Sequence, residues 1–340
     1  SWPIDANLAT WTTTLATNAL AAANGKVGAL GCLDWLLQCQ HQRRHPFTHA
    51  ASGGWGWSDL SGAVPDVDDT AGALLALTVL RDSSPETNHQ RIDAAAAAGV
   101  KWLLNVQNSD GGWPTFCRGW GTLPFDRSAA DLTAHALRAL HGWRGQIDDS
   151  RLDSRLASQL DGAIRRGFDY LSTAQRPDGS WAPLWFGNQH HPTEENPVYG
   201  TARVLLAYRD FGRINDRAAQ GGLAWLAASR CPDGGWGGGV APAGESDAHG
   251  PASTEETAVA VEALLADYEN PTLQTAIEGG IRWLLAAVAE TRHQETAAIG
   301  FYFAKLWYYE RLYPQTFVVA ALGRAVRRLS AEVPPQADDA

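Results

Sequence analysis

The chain has 340 residues, 45% of them hydrophobic, with 15 Trp and 34 Gly, enough for one large domain or two small ones. A formal net charge of −10 and a pI near 5.4 exclude the basic stripe of a nucleic-acid surface and disfavour an anionic partner. Cys32, Cys39, Cys117 and Cys231 fall in no metal-binding spacing. That points to a reduced, cytoplasmic chain, and neither a secretory leader nor a bilayer-length apolar run is read; the lack of any Met reads as a trimmed start.

Residues 7–23 pattern as a helix, and "CLDWLLQCQ" (32–40) as the end of another, followed after an insert by "GGW" (53–55). In "AVPDVDDTAGALLAL" (63–77) three carboxylates, Asp66, Asp68 and Asp69, crowd the start of a small, apolar helix expected over 68–80. "ETNHQRIDAAAAAGVKWLLNVQ" (86–107) carries its charge on one side and closes in "NSDGGW"; a second small, apolar helix follows over 129–143. "QIDDSRLDS" (146–154) is read as an exposed loop between helices, because its third Asp is one place off a magnesium-diphosphate D-D-x-x-D. "RGFDYLSTAQRPDGSW" (166–181) repeats the helix-end-and-turn pattern. "NQHHPTEEN" (188–196), with His190, His191, Glu194 and Glu195 around a Pro, reads as a surface loop. No metal and no cofactor are expected. A helix over 199–211, the turn "GLAWLAASRCPDGGW" (222–236) and a helix over 253–268 opened by the capping box "STEE" come next. A worn copy, "GGIRWLLAAVAE" (279–290) leading to "IGF" (299–301), precedes a last helix over 317–329.

The units recur every 55 to 68 residues or so, long enough for two helices each. A helix apolar on every side is buried, whereas a one-sided helix lies at the surface. Six alternations therefore predict an all-α (α/α)6 barrel, an inner ring inside an outer one, as one domain over 1–330 with a disordered tail at 331–340. Trp113, Trp181 and Trp236 are read as staples, each indole stacking with a Gln one turn earlier (Gln107, Gln175) to tie an outer helix to the next inner one.

These Gln…Asp-Gly-x-Trp units resemble the "QW" motifs of the squalene–hopene and oxidosqualene cyclases, the class II terpene cyclases. Pro65-Asp66-Val67-Asp68-Asp69-Thr70-Ala71 resembles the family's D-x-D-D motif, whose middle Asp protonates a terminal alkene; on that match Asp68 is the acid. "DLTAHAL" (131–137) is similar to the segment whose His hydrogen-bonds that Asp, which maps to His135, with Asp131 four residues before it. "GGWGWSDL" (53–60) places Trp57 as a pocket aromatic. "PIDANLATW" (3–11) matches Asp5 to an acidic residue near the cavity. "GFYFAKLWYYERLYP" (300–314) resembles the aromatic C-terminal segment, implying Phe301, Tyr302, Trp307 and Tyr309 as cation-stabilising residues, with Leu306 in place of an aromatic. The resemblance covers the catalytic (β) domain alone; a trimmed chain and a single-domain cyclase both fit. It implies a hydrophobic isoprenoid substrate, squalene or a C15–C20 prenyl chain with or without an aromatic head group, and peripheral membrane association; ring pattern and oligomeric state stay open.

An alkene is an extremely weak base, so its acid must still hold a proton at neutral pH, where an exposed Asp is ionised. Burial and the neighbours Asp66 and Asp69 raise the affinity of Asp68 for its proton; the helix N-terminus opposes them by about 1 kcal/mol. The three titrate together. Protonated His135 would stabilise the carboxylate left behind, and Asp131, one turn away, would orient the ring or hold it charged. Aromatic faces then steady the travelling cation, each by about 0.5–2 kcal/mol. Two other readings remain open at this level. One is a glycan hydrolase or lyase on the same barrel, pairing acids such as Asp66 with Asp131 across a groove. The other is a non-catalytic isoprenoid-binding subunit.

Overall fold

The computed structural model describes residues 7–46, 48–119, 123–149, 154–237, 252–301 and 306–332. Six helices form a closed inner ring: α1 (Ala9–Ala22), α3 (Val67–Asp82), α5 (Ala130–Asp149), α7 (Pro197–Asp210), α9 (Thr254–Leu264) and α11 (Leu312–Glu332) pack in that order, and α11 returns to α1. Five outer helices back them: α2 (Leu33–Gln38), α4 (Glu86–Val106), α6 (Ser154–Ala174), α8 (Arg217–Ala228) and α10 (Pro271–Ala289). Every residue of α9 and all of α7 except its last two are buried, as their all-round small apolar pattern requires. Neighbouring inner helices run parallel. Trp143 on α5 donates to the Leu74 carbonyl on α3, and Trp11 and Arg327 join the matching ends of α1 and α11. The inner N-termini therefore share one end of the barrel.

The Gly-Trp turns tie the rings together by hydrogen bonds. The Trp113, Trp181 and Trp236 indoles donate to the Leu103, Leu171 and Leu226 carbonyls of their own outer helices at 2.8, 2.8 and 2.7 Å. Trp55 does the same to Leu36 at 2.8 Å. Gln107 bonds the Gly111 and Ala163 carbonyls at 2.8 and 2.9 Å, and so clamps its own turn to the next outer helix; Gln175 and Gln40 repeat the clamp. Where the fourth unit has Arg230 in place of Gln, its guanidinium reaches the Thr275 carbonyl at 2.7 Å. Two kinds of glycine make this possible. Gly111, at φ +91, turns the chain where a Cβ would meet the Arg166 carbonyl, and Gly167 lets α6 lie on the Trp113 ring.

Asp66, Asn196 and Ser253 cap α3, α7 and α9 through the backbone N–H of Asp69, Tyr199 and Glu256. Two expectations shift at segment ends. Residues 146–149 belong to α5 and are not loop, so the Asp-rich stretch is a helix end; residues 150–153 lie outside the described set. Between α10 and α11 a short antiparallel hairpin, β1 (Ile299–Phe301) and β2 (Leu306–Tyr308), joins the "QHH" loop through Gly187 N–H to the Gly300 carbonyl. Among the described residues no helix is long and apolar enough to cross a membrane.

Candidate active site

The acid cluster opens α3 at the shared end of the inner ring. Asp66 is its N-cap: its Oδ1 accepts from Asp69 N–H at 2.8 Å, and its own N–H donates to the Trp55 carbonyl. Asp66 and Asp69 are 4% and 5% exposed. Burial pushes Asp66 up to about 7 and Asp69 well above the usual carboxylate range. The contact between the two carboxyls lowers Asp66 and raises Asp69, so a proton resides on Asp69. Asp68 differs: its side chain is 19% exposed and its Oδ1 lies 2.7 Å from His135 Nδ1. Gly72, one turn into α3, lets α1 approach at Thr14, and Trp11 meets the His135 ring edge-on at 5.9 Å.

His135 departs from the charged state expected of it. Burial lowers its proton affinity, and the Arg203 and Arg138 charges add to that against the opposing bond to Asp68. The ring is therefore neutral at neutral pH. Asp131 does not engage it: its Oδ1 accepts from Leu184 N–H at 3.2 Å, its Oδ2 is buried without a partner, and burial with the Asp68 charge pushes it up to about 7. Arg203, buried on α7, lies over the Tyr199 ring at 5.3 Å and near the Asp68, Glu262 and Asp131 carboxyls.

An aromatic wall surrounds these groups. Trp11 stacks on Phe186 at 6.5 Å and donates to the Tyr313 hydroxyl at 2.8 Å, which meets the Tyr308 hydroxyl at 3.2 Å. Phe186 also contacts Tyr199 at 4.5 Å. Trp57, half-buried, meets Phe116 at 6.3 Å, and Phe116 meets Trp185 at 6.4 Å. The carbonyl of Trp57 accepts from Thr10 N–H at the start of α1.

Asp5 and Tyr302 lie outside the described residues, and of Phe301 only the backbone, paired with Leu306, is described. The hairpin does not bring Tyr309 to the acids. Tyr309 is 65% exposed and lines the cavity at the start of α9, whereas Tyr308, its neighbour on the other face of the chain, lies on the side of Asp68 and Asp69. Trp307, half-buried, points to the face opposite Tyr308. Trp11, Phe116, Trp185, Phe186, Tyr199, Tyr308 and Tyr313 were not singled out from the sequence. Tyr199 carries a readable signal. Thr70, Thr133 and Thr201 each accept from the backbone N–H of the Trp in the preceding turn at 2.9 Å, and two residues before each stand Asp68, Asp131 and Tyr199.

An (α/α)6 toroid with a carboxylate trio capping an inner helix defines the catalytic barrel of the class II terpene cyclases. The chain belongs to the squalene-hopene cyclase C-terminal domain family, whose model matches residues 8–327. It is 30% identical over 322 residues to enfumafungin synthase efuA of Hormonema carpetanum, covering 87% of this chain and 23% of that protein. It is 27% identical over 339 residues to a squalene–hopene cyclase of Bradyrhizobium diazoefficiens, covering 89% and 47%. The fold is shared with the type II terpene cyclase MstE from Scytonema in complex with geranylgeranyl dihydroxybenzoate, at a TM-score of 0.60 and 18% identity over 94% of this chain and 88% of that one. The chain spans less than half the length of the two curated relatives.

Proposed function

We propose that this chain is a protonation-initiated terpene cyclase in which Asp68 protonates the terminal alkene of a linear isoprenoid and starts a carbocation polycyclisation. The observation that carries this reading is the contrast within the trio. Asp66 and Asp69 are closed off against each other, while Asp68 alone is open to a substrate and backed by a histidine. Neutral His135 donates its Nδ1–H to Asp68 Oδ1, which leaves Oδ2 as the oxygen that takes up a proton for each turnover and passes it to the alkene. As the alkene π pair takes that proton, the bond to His135 strengthens against the new carboxylate, and the next double bond attacks the tertiary cation. With Asp69 neutral, the crowded carboxyls do not act as three negative charges.

Trp11, Phe186, Tyr199, Tyr308 and Tyr313 supply π faces and edges without a strong nucleophile, which suits a migrating cation. Trp57 belongs to the same wall through Phe116. Asp131 serves as a neutral neighbour that holds the Leu184 loop. A glycan-cleaving groove would need an acid and a carboxylate facing each other across an open cleft, and Asp66 and Asp131 are buried. The exposed side chains Leu60, Leu123, Phe125, Leu306 and Leu312 support peripheral docking on a membrane, from which an apolar substrate would enter. The substrate is squalene or a C15–C20 prenyl chain; the complex of MstE with geranylgeranyl dihydroxybenzoate supports the prenyl class.

Incubation with squalene, geranylgeraniol and geranylgeranyl dihydroxybenzoate, followed by product analysis beside Asp68→Asn, tests the proposal. At least one substrate should give a cyclic product that the variant does not form; cyclic product formed equally by both proteins would refute it.

A further inference from the structure

The register that sets Asp68 on α3 also sets a carboxyl on α9. Thr257 accepts from Trp236 N–H at 2.9 Å, as Thr70 does from Trp55, and two residues before it stands Glu255. In the ring α9 lies opposite α3. With neighbouring axes about 8–10 Å apart, facing axes are separated by about 16–20 Å, a span that a folded prenyl chain can bridge.

Glu255 is 6% exposed. Its Oε1 accepts from Ala297 N–H at 2.8 Å, and its Oε2 is buried with no hydrogen-bond partner. Burial pushes the carboxyl up to about 7, so a neutral O–H is present near neutral pH. It borders a cavity of about 370 Å³ lined also by Asn188, His190, Trp283, Arg292 and Tyr309. Glu256 and Glu295 line the same space, and the one guanidinium among the described lining residues, Arg292, is paired with Glu290 at 2.7 Å. Among the described residues, a diphosphate would face a wall richer in carboxyls than in cations. A hydroxyl would find in Glu255 a group able to donate to it or accept from it.

We propose that the cavity at the start of α9 binds the polar head of the isoprenoid while the terminal alkene reaches Asp68, selecting an uncharged, hydroxyl-bearing head. This rests on the cyclase reading above.

Affinities of the full chain for geranylgeraniol, geranylgeranyl diphosphate and squalene, read by tryptophan fluorescence, test it together with KM and kcat for each. Wild type, Glu255→Gln and Glu255→Leu are compared, with thermal melting to confirm that both variants fold. Wild type should prefer geranylgeraniol to the diphosphate. Glu255→Leu should weaken geranylgeraniol about five- to tenfold, the worth of one hydrogen bond, with squalene unchanged, and Glu255→Gln should restore most of the loss. Equal weakening of all three ligands, no weakening, or a preference for the diphosphate would overturn the head-group site. Asp68→Asn separates the two proposals. If product survives in that variant, the cyclase reading fails; if product is lost while Glu255 variants leave head-group preference untouched, only the site at α9 fails.

Discussion

Asp131→Asn separates what the buried acid layer costs the fold from what it does in the reaction. Burial and the Asp68 charge hold the Asp131 carboxyl at about 7 instead of the usual 3.8. Because the folded value lies above the unfolded one, the folded chain binds the proton more tightly. The stability linked to it is complete below about pH 4 and is lost as the pH rises towards 7. At about 1.4 kcal/mol for each tenfold change in proton affinity, the loss is on the order of 4 kcal/mol. Asn has no proton to release, and its amide oxygen can still accept from Leu184 N–H. Urea unfolding of both proteins between pH 5 and 8 should show the variant gaining on wild type by about 1.4 kcal/mol per pH unit up to pH 7 and levelling above it. A stability difference that is constant with pH would refute the buried, proton-retaining state of Asp131.

Trp113→Phe removes the indole N–H that satisfies the buried Leu103 carbonyl; urea unfolding should show a loss of about 1–3 kcal/mol, and a smaller one would mean that the staple is dispensable. Arg203→Met removes one of the two positive charges that add to burial in lowering His135; the imidazole titration followed by NMR should move to higher pH, and an unmoved titration would contradict the electrostatic link. His135→Phe should lower kcat by at least about a hundredfold with KM changed far less, because the bond to Asp68 gains strength only as the proton leaves; equal changes in both would point to a binding role instead.

The barrel was legible because its two helix types differ in composition: small and apolar all round in "AGALLALTVL", one-sided in residues 86–107. The trio and His135 were legible because a short motif carries them, and Asp68 and His135 stand 2.7 Å apart. The charge on His135 was not, since it depends on Arg203, which is distant in sequence and reaches the site only through the packing of α7 beside α5. The aromatic wall was half hidden for a similar reason. Tyr308 and Tyr309 are neighbours in a run of aromatics, and only the pairing of β2 with β1 decides which one turns toward the acids. Glu255 is different again. "STEE" was readable as a helix cap, and Ser253 does cap α9; its equivalence to the Asp68 position needed the Thr–Trp bonds to set the register.

The most direct test of the central claim is turnover in D2O. If Asp68 delivers its exchangeable proton to the terminal alkene, each cyclic product carries one deuterium on the former alkene CH, next to the dimethyl-bearing carbon where the first ring bond forms, and Asp68→Asn makes none of it. A cyclic product without that deuterium, or a labelled product that persists in Asp68→Asn, would contradict the account.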